Sequence, residues 1–132
     1  MWNVIGNELA KLEDKIIEFN RAQVRYGNRA DGTEIEPPYA EITKHFKSND
    51  GTLTNGDPTI VNLYDSGSFY AGFYILITKD EVIIDSRDSK SDALQDKYGT
   101  EIFGLTDSNL KTVLQIVKER VINNVREQIK NL

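Results

Sequence analysis

The 132-residue chain carries a formal net charge of −5 and no cysteine, which excludes a disulfide framework and a thiolate zinc site and disfavours electrostatic binding to a nucleic-acid backbone. Its length is typical of one domain with a hydrophobic core of its own, so we expect residues 1–132 to form a single domain. The longest apolar run falls far short of the ~20 residues that cross a bilayer, and the first residues lack the pattern of a signal peptide, so the sequence predicts a soluble protein without membrane contact.

The first helix is predicted from apolar residues that recur at alternating steps of four and three. We expect it to span residues 2–24, within an N-terminal segment 1–26 that ends before Gly27. The residues of its apolar stripe are Ile5, Leu9, Leu12, Ile16 and Phe19.

A long loop region is predicted over residues 27–62, which hold all three prolines and four of the nine glycines. Proline and glycine interrupt regular elements. Ile42 and Phe46 are four residues apart and can share one face of a two-turn helix. Because a loop of this length in a compact domain is usually functional or ordered by a partner, we expect Tyr39, Ile42, Phe46 and Leu53 to contribute to an interface.

The segment 63–87 is predicted to form a turn and an antiparallel β-hairpin. Residues 72–78 alternate between two faces and are rich in aromatic and β-branched side chains, which favours a pleated strand. The polar pair Lys79-Asp80 interrupts this run, and the strand pattern resumes over 81–86. We expect this hairpin to form the centre of the fold.

A bend is predicted just before the hairpin. Asp65 and Ser66 can cap the start of a helix, and Gly67 can adopt a positive φ angle at little steric cost. We therefore expect Gly67 to lead into one helical turn through Phe69 and Tyr70.

A short helix is predicted at the start of the C-terminal helical part, 88–132. The run from Asp88 to Lys97 is rich in charged residues and ends at Tyr98, and we expect the helix to begin at about Ser89. Gly99 follows Tyr98, and a glycine in this position commonly ends a helix.

The last helix has the clearest start in the chain. Thr106 is a good N-cap, Asp107 places negative charge in the first turn, and Leu105 and Leu110 can form a hydrophobic staple. We expect this helix to run from Asp107 nearly to the end of the chain. Its apolar stripe is Leu110, Leu114, Val117, Val121, Val125 and Ile129, with Val113 beside it.

The last helix is expected to pack on the hairpin, because an isolated hairpin is only marginally stable in water. Ile116 and Ile122 fall off the apolar stripe, so we expect them either to meet a second partner surface or to be merely exposed. The fold class is therefore α+β, with a long N-terminal helix, a central antiparallel β-hairpin and a long C-terminal helix packed on the sheet. The residues expected to be buried together are Ile75, Ile77, Leu114, Val117 and Val121.

Candidate catalytic and metal-binding residues are few. His45 is the only histidine, and no nucleophile or zinc motif surrounds it. Asp85, Asp88 and Asp92 do not have the spacing of a calcium loop. Asp85 and Asp88 together with Lys90 allow one alternative, a metal-dependent nuclease, although the acidic surface repels such a substrate. We therefore predict no catalytic, cofactor-binding or metal-binding residues.

Three short motifs combine turn residues with aromatic or apolar positions. The first lies in the loop region, the second precedes the hairpin, and the third leads into the last helix. They are Asp31-Gly32-Thr33 followed by Pro38-Tyr39-Ala40 and Thr43-Lys44, then Leu63-Tyr64-Asp65-Ser66-Gly67-Ser68-Phe69, and then Ile102-Phe103-Gly104-Leu105-Thr106-Asp107.

These motifs resemble signatures of the phage virion-morphogenesis, or tail-completion, proteins. The family patterns are D-G-x-x-W-x-P-L-x-x-x-T, then L-x-x-T-G-x-L-x-x-S, then R-P-F-L-G-L-S-x-x-D. The chain lacks the Trp of the first pattern and the Arg-Pro of the third. In the second pattern it has Ser66 for Thr, Phe69 for Leu and Gly72 for Ser.

The resemblance implies a structural virion subunit, not an enzyme, that forms a homo-oligomeric ring of six or twelve copies. Such a ring would join portal or adaptor proteins to the tail, in a virion assembled in the host cytoplasm. DNA would only pass through the ring, and the acidic composition predicts a lumen that does not bind DNA. The alternatives are a non-enzymatic module that binds one host partner and the nuclease already described.

In such a ring, one surface must pair with a different surface of the next copy. On the loop side we expect the interface residues to be Tyr39, Ile42, Phe46 and Leu53. The partner face is expected to be the outer side of the last helix at Ile116 and Ile122.

Overall fold

The computed structural model describes residues 2–39, 60–64 and 67–132. Within these ranges the chain is α+β, with helices at both ends and an antiparallel hairpin between them, as the sequence predicts. The elements in chain order are α1 (Trp2–Lys11), α2 (Glu13–Arg25), α3 (Ser68–Ala71), β1 (Phe73–Ile77), β2 (Val82–Ser86), α4 (Ser91–Tyr98), a 3-10 helix (Thr100–Ile102) and α5 (Asp107–Lys130).

The predicted N-terminal helix is divided at Leu12 into α1 and α2. The Leu12 N–H donates to the carbonyl of Leu9, three residues back, at 3.0 Å. In a continuous α-helix it would donate to the carbonyl four residues back. Leu12 is itself buried, so the apolar stripe continues through the break. The division lets α1 contact both α5 and β1 while α2 lies against β1.

The hairpin has the predicted antiparallel pairing, with Phe73 opposite Ser86 and Ile77 opposite Val82. The Thr78 N–H donates to the carbonyl of Glu81 at 2.8 Å and closes the turn at Lys79-Asp80. Side chains alternate across the sheet. One face packs into the core, and the other carries Leu76 and its partner Ile83, which are 50% and 37% exposed.

Two apolar clusters meet under the inner face of the hairpin. The first gathers around the aromatic residues before β1, and the second lies between α1, α2 and α5. Ile75 and Ile84 contact both clusters and join them. The buried members are Ile17, Val24, Ile35, Val61, Leu63, Phe69, Tyr70, Phe73, Tyr98 and Ile102 in the first, and Leu9, Leu12, Ile16, Val113 and Val117 in the second.

Helix α5 packs on the body through Val113 and Val117, and the expectation that Leu114 is buried is wrong. Leu114 is 52% exposed, whereas Val117 is 5% exposed. Ile116, expected to point elsewhere, packs against the second cluster together with Val121. The apolar arc of α5 is wider than the surface that α1 offers, so α1 covers only the side that carries the two valines.

Several predictions concern residues outside the described ranges. The short helix with Ile42 and Phe46, the interface residue Leu53, and the pair Asp65 and Ser66 all belong to this group. No helix in the described parts of the chain combines the length and apolar character needed to cross a membrane.

Val117→Ala should lower the free energy of unfolding by on the order of 2 kcal/mol, because it removes buried methyl groups and leaves a cavity. Leu114→Ala removes more atoms but from a half-exposed site, so it should change the free energy by less than about 1 kcal/mol. Urea unfolding at low protein concentration measures both. A larger loss of free energy of unfolding for Leu114→Ala than for Val117→Ala would show that the Leu114 side of α5 faces the core.

Candidate interaction surface

The bend before the hairpin brings motif residues together in an aromatic cluster. Gly67 has φ of +91°, as predicted, and α3 begins immediately after it. This turn buries Phe69, whose ring centroid lies 5.1 Å from that of Phe73 and 5.7 Å from that of Phe103. Such tilted and edge-on ring pairs are favourable arrangements. The second and third motifs therefore share one packed core.

Two tyrosine hydroxyls hold the segment 60–64 beside this cluster. Leu63 is buried and has φ of +56°, an uncommon conformation for a residue with a side chain. The Tyr39 hydroxyl accepts a hydrogen bond from the Leu63 N–H at 2.8 Å, and the Tyr70 hydroxyl donates to the carbonyl of Asn62. Burial raises the pKa of Tyr39 to about 12 and also raises the pKa of Tyr70.

Two buried amides of α2 hold the lead-in to α5. Asn20 donates to the carbonyl of Ile102 at 2.8 Å and accepts from the Gly104 N–H at 2.9 Å. Gln23 donates to the carbonyl of Gly104 at 2.8 Å and accepts from the Thr106 N–H at 2.9 Å. The sequence predictions missed both amides. The available signal was that these polar residues lie where the apolar stripe of the first helix would continue.

The first motif forms a turn next to this lead-in. The Asp31 carboxylate accepts from the N–H and the hydroxyl of Thr33 at 3.0 and 2.6 Å, and these bonds lower the Asp31 pKa. Gly32 has φ of +85°. The Ala30 N–H donates to the carbonyl of Glu101 at 2.7 Å. Ala30, the residue before the first motif, thus joins this turn to residues 101–104, where the second and third motifs also meet.

The carboxylates of the alternative nuclease site also make structural contacts. Asp85 accepts from the Ser86 N–H at 2.7 Å and from the Ser91 hydroxyl at 2.9 Å, which joins the end of β2 to α4. Asp88 lies 3.6 Å from the ammonium of Lys90. The described residues contain no group of three or more side chains placed to hold a metal ion, and His45 lies outside them.

An apolar groove opens between β2, the lead-in segment 103–105 and the first turns of α5. It encloses about 600 Å³ and its floor is the second core cluster. Leu105, Leu110 and Leu114 line it on the α5 side. On the opposite side it is lined by Ile83 and Ile84 of β2. Asp85, Gln95 and Thr100 provide polar groups.

The second half of α5 carries an exposed apolar stripe. The helix has 24 residues and is roughly 36 Å long at about 1.5 Å per residue. Ile122, Val125 and Ile129 are all exposed, Ile129 by 61%, and their spacing of i, i+3 and i+7 places them on one face. Apolar side chains grouped on an exposed face commonly mark an interaction site.

The candidate interface residues of the sequence analysis have separate locations. Ile122 is exposed and shares a face with Val125 and Ile129, so the expectation that it lies off the stripe of these two residues is wrong. Ile116 is packed on the body. Tyr39 packs against the first core cluster. Ile42, Phe46 and Leu53 lie outside the described residues. The groove residues Ile83 and Leu114 were not predicted to form a surface, because a groove depends on how three separate elements meet.

Comparison with known proteins finds no matching family model, no matching curated protein and no matching solved structure.

Gly67→Val should lower the free energy of unfolding by about 1–3 kcal/mol, because a β-branched residue is strained at positive φ. A Cβ atom there would also lie 3.1 Å from the Tyr64 hydroxyl oxygen. Ser68→Ala, at the exposed next position, should change stability less. Urea unfolding of the two variants measures the difference, and equal losses would contradict the conformational explanation.

Alkaline pH should destabilise the fold through Tyr39. Its folded pKa of about 12 lies above the usual value of ~10, so the unfolded chain loses the proton first. This contribution to stability is fully present below pH ~10 and is lost as pH rises toward the folded pKa. Tyr39→Phe should therefore lose less stability than the wild type between about pH 8 and about pH 11.

Urea unfolding at the two pH values measures this loss. The quantity compared is the change in the free energy of unfolding between the two pH values, because Tyr39→Phe also lacks one hydrogen bond at both. Tyr26→Phe is the matched control, since the Tyr26 side chain is exposed. An unchanged pH dependence in Tyr39→Phe would contradict the assignment.

Proposed function

We propose that this protein is a non-enzymatic structural subunit that assembles with copies of itself into a ring at the head-to-tail connection of a phage virion. The observation that carries the proposal is the exposed apolar stripe on the second half of α5. Burial of such exposed apolar side chains against a partner is energetically favourable. The same chain also presents an apolar groove, so it has two different surfaces that a neighbour could use.

Two different surfaces on one chain favour a heterologous interface, in which one surface of a copy meets the other surface of the next copy. Repetition of such an interface gives a ring when the rotation closes. This is the assembly that the three motifs imply through their resemblance to tail-completion proteins. The neighbours of the ring along the virion axis are then portal, adaptor or tail proteins.

The polar groups of the described residues support a structural role. Asn20, Gln23 and Asp85 bond to groups that hold elements of the fold together. The net charge of −5 suits a ring through which DNA passes, because an acidic lumen does not bind the phosphate backbone. We place the protein in the virion neck or tail, after assembly in the host cytoplasm.

Purified protein should form a closed particle of one size with six or twelve copies, because the exposed stripe is covered only on assembly. Light scattering and native mass spectrometry measure the number of copies, and negative-stain images show whether the particle is a ring. A protein that stays monomeric at every concentration, and is absent from purified virions, would contradict the proposal. A one-to-one complex with a host protein would favour the host-partner module instead.

A further inference from the structure

We infer that the second half of α5, residues 118–130, of one copy occupies the apolar groove of a second copy. The inference deepens the proposed function, since it rests on self-association, and it names the two surfaces that meet. A helix that docks in a groove uses apolar anchors at spacings of i, i+3 and i+7. Ile122, Val125 and Ile129 have this spacing and are exposed.

The groove offers the matching apolar walls. Ile83 on β2 and Leu114 on α5 are both exposed and line it from two sides, with Phe103 between them in the lead-in segment. In the described residues, β1 is the only strand paired with β2. A docked helix would also cover the outer edge of β2, and an uncovered strand edge is a liability for aggregation.

The helix cannot dock in the groove of its own chain. Leu110 and Leu114 form one wall of the groove, and they belong to the same continuous helix as residues 118–130. A straight helix moves away from its own first turns by about 1.5 Å per residue. The second half of α5 can therefore reach a groove of this kind only on another copy.

Charge complementarity also favours a second copy as the occupant. Residues 118–130 contain four basic and two acidic side chains. The segment 79–107, which supplies β2, α4 and part of the groove lining, contains eight acidic and four basic side chains, and of the acidic ones Asp85 lines the groove itself. Opposite charges around an apolar contact orient the partners and accelerate their association.

Two pairs of matched variants test the interface. The stripe variant is the double substitution Val125→Glu/Ile129→Glu, which places charge on the stripe. Its control is the double substitution Asn123→Glu/Asn124→Glu, which adds the same charge elsewhere on the exposed part of the helix. Ile83→Glu changes the groove, and Leu76→Glu changes its exposed cross-strand partner, which does not line the groove. We expect each interface variant to weaken self-association by at least about tenfold, because a buried unpaired charge opposes docking. The controls should retain the wild-type size.

Mixing the stripe variant Val125→Glu/Ile129→Glu with the groove variant Ile83→Glu tests directly whether the two surfaces bind each other. Each mixed pair has one intact helix and one intact groove, so light scattering should show a one-to-one complex even though each variant alone is monomeric. Absence of this complex from variants that are folded by circular dichroism would overturn the inference. So would loss of self-association in the groove variant Ile83→Glu without any loss in the stripe variant, which would indicate that another occupant, such as residues 40–59 or an unrelated protein, binds the groove.

Disulfide trapping provides a second measurement if Ile83→Glu fails to fold. The chain has no cysteine, so introduced thiols have no competitors. Under mild oxidation, Ile83→Cys mixed with Ile129→Cys should give a crosslinked pair of two different chains. Leu76→Cys mixed with Asn123→Cys is the control and should not. Equal crosslinking in both mixtures would overturn the proposed docking.

The outcomes separate this inference from the proposed function. A wild-type complex of only two copies that depends on both surfaces supports the docking and contradicts the ring. A ring that is unaffected by the stripe and groove variants supports the proposed function and overturns the docking. A wild-type protein that is monomeric at every concentration overturns both.

Discussion

The position of α5 depends on the hydrogen bonds that Asn20 and Gln23 make with the segment 102–106. Both side chains are buried, and a buried amide without partners is strongly unfavourable. Each amide both donates to and accepts from the same short segment. The lead-in to α5 is therefore held at one position on α2, and the direction of α5 follows from that position.

The groove and the exposed stripe both result from this constraint. Because α5 starts at a defined point and is packed on α1 through Val113 and Val117, Leu110 and Leu114 face the open side of the helix. The same side continues toward Ile129 beyond the part of α5 that packs on the body. One helix thus contributes a wall to the groove and also carries the exposed apolar stripe.

The residues of the three sequence motifs have a structural role in this chain. Asp31 and Gly32 form a turn, Gly67 makes the bend before β1, and Phe69 and Phe103 pack in the aromatic cluster. The exposed apolar surfaces lie on β2 and on α5, and the third motif contributes Phe103, Gly104 and Leu105 to the groove between them.

The sequence by itself determined the elements, because their signals are local. The alternation in 73–77, the N-cap Thr106 and the positive φ of Gly67 each follow from neighbouring residues, and the structure has all three. The tertiary structure decided which side of α5 is buried, where the N-terminal helix breaks, and that a groove exists beside β2. These depend on contacts between residues far apart in the chain, such as Gln23 with Thr106. An apolar arc wider than one contact surface allows several packings, and only the complete set of distant contacts selects one of them.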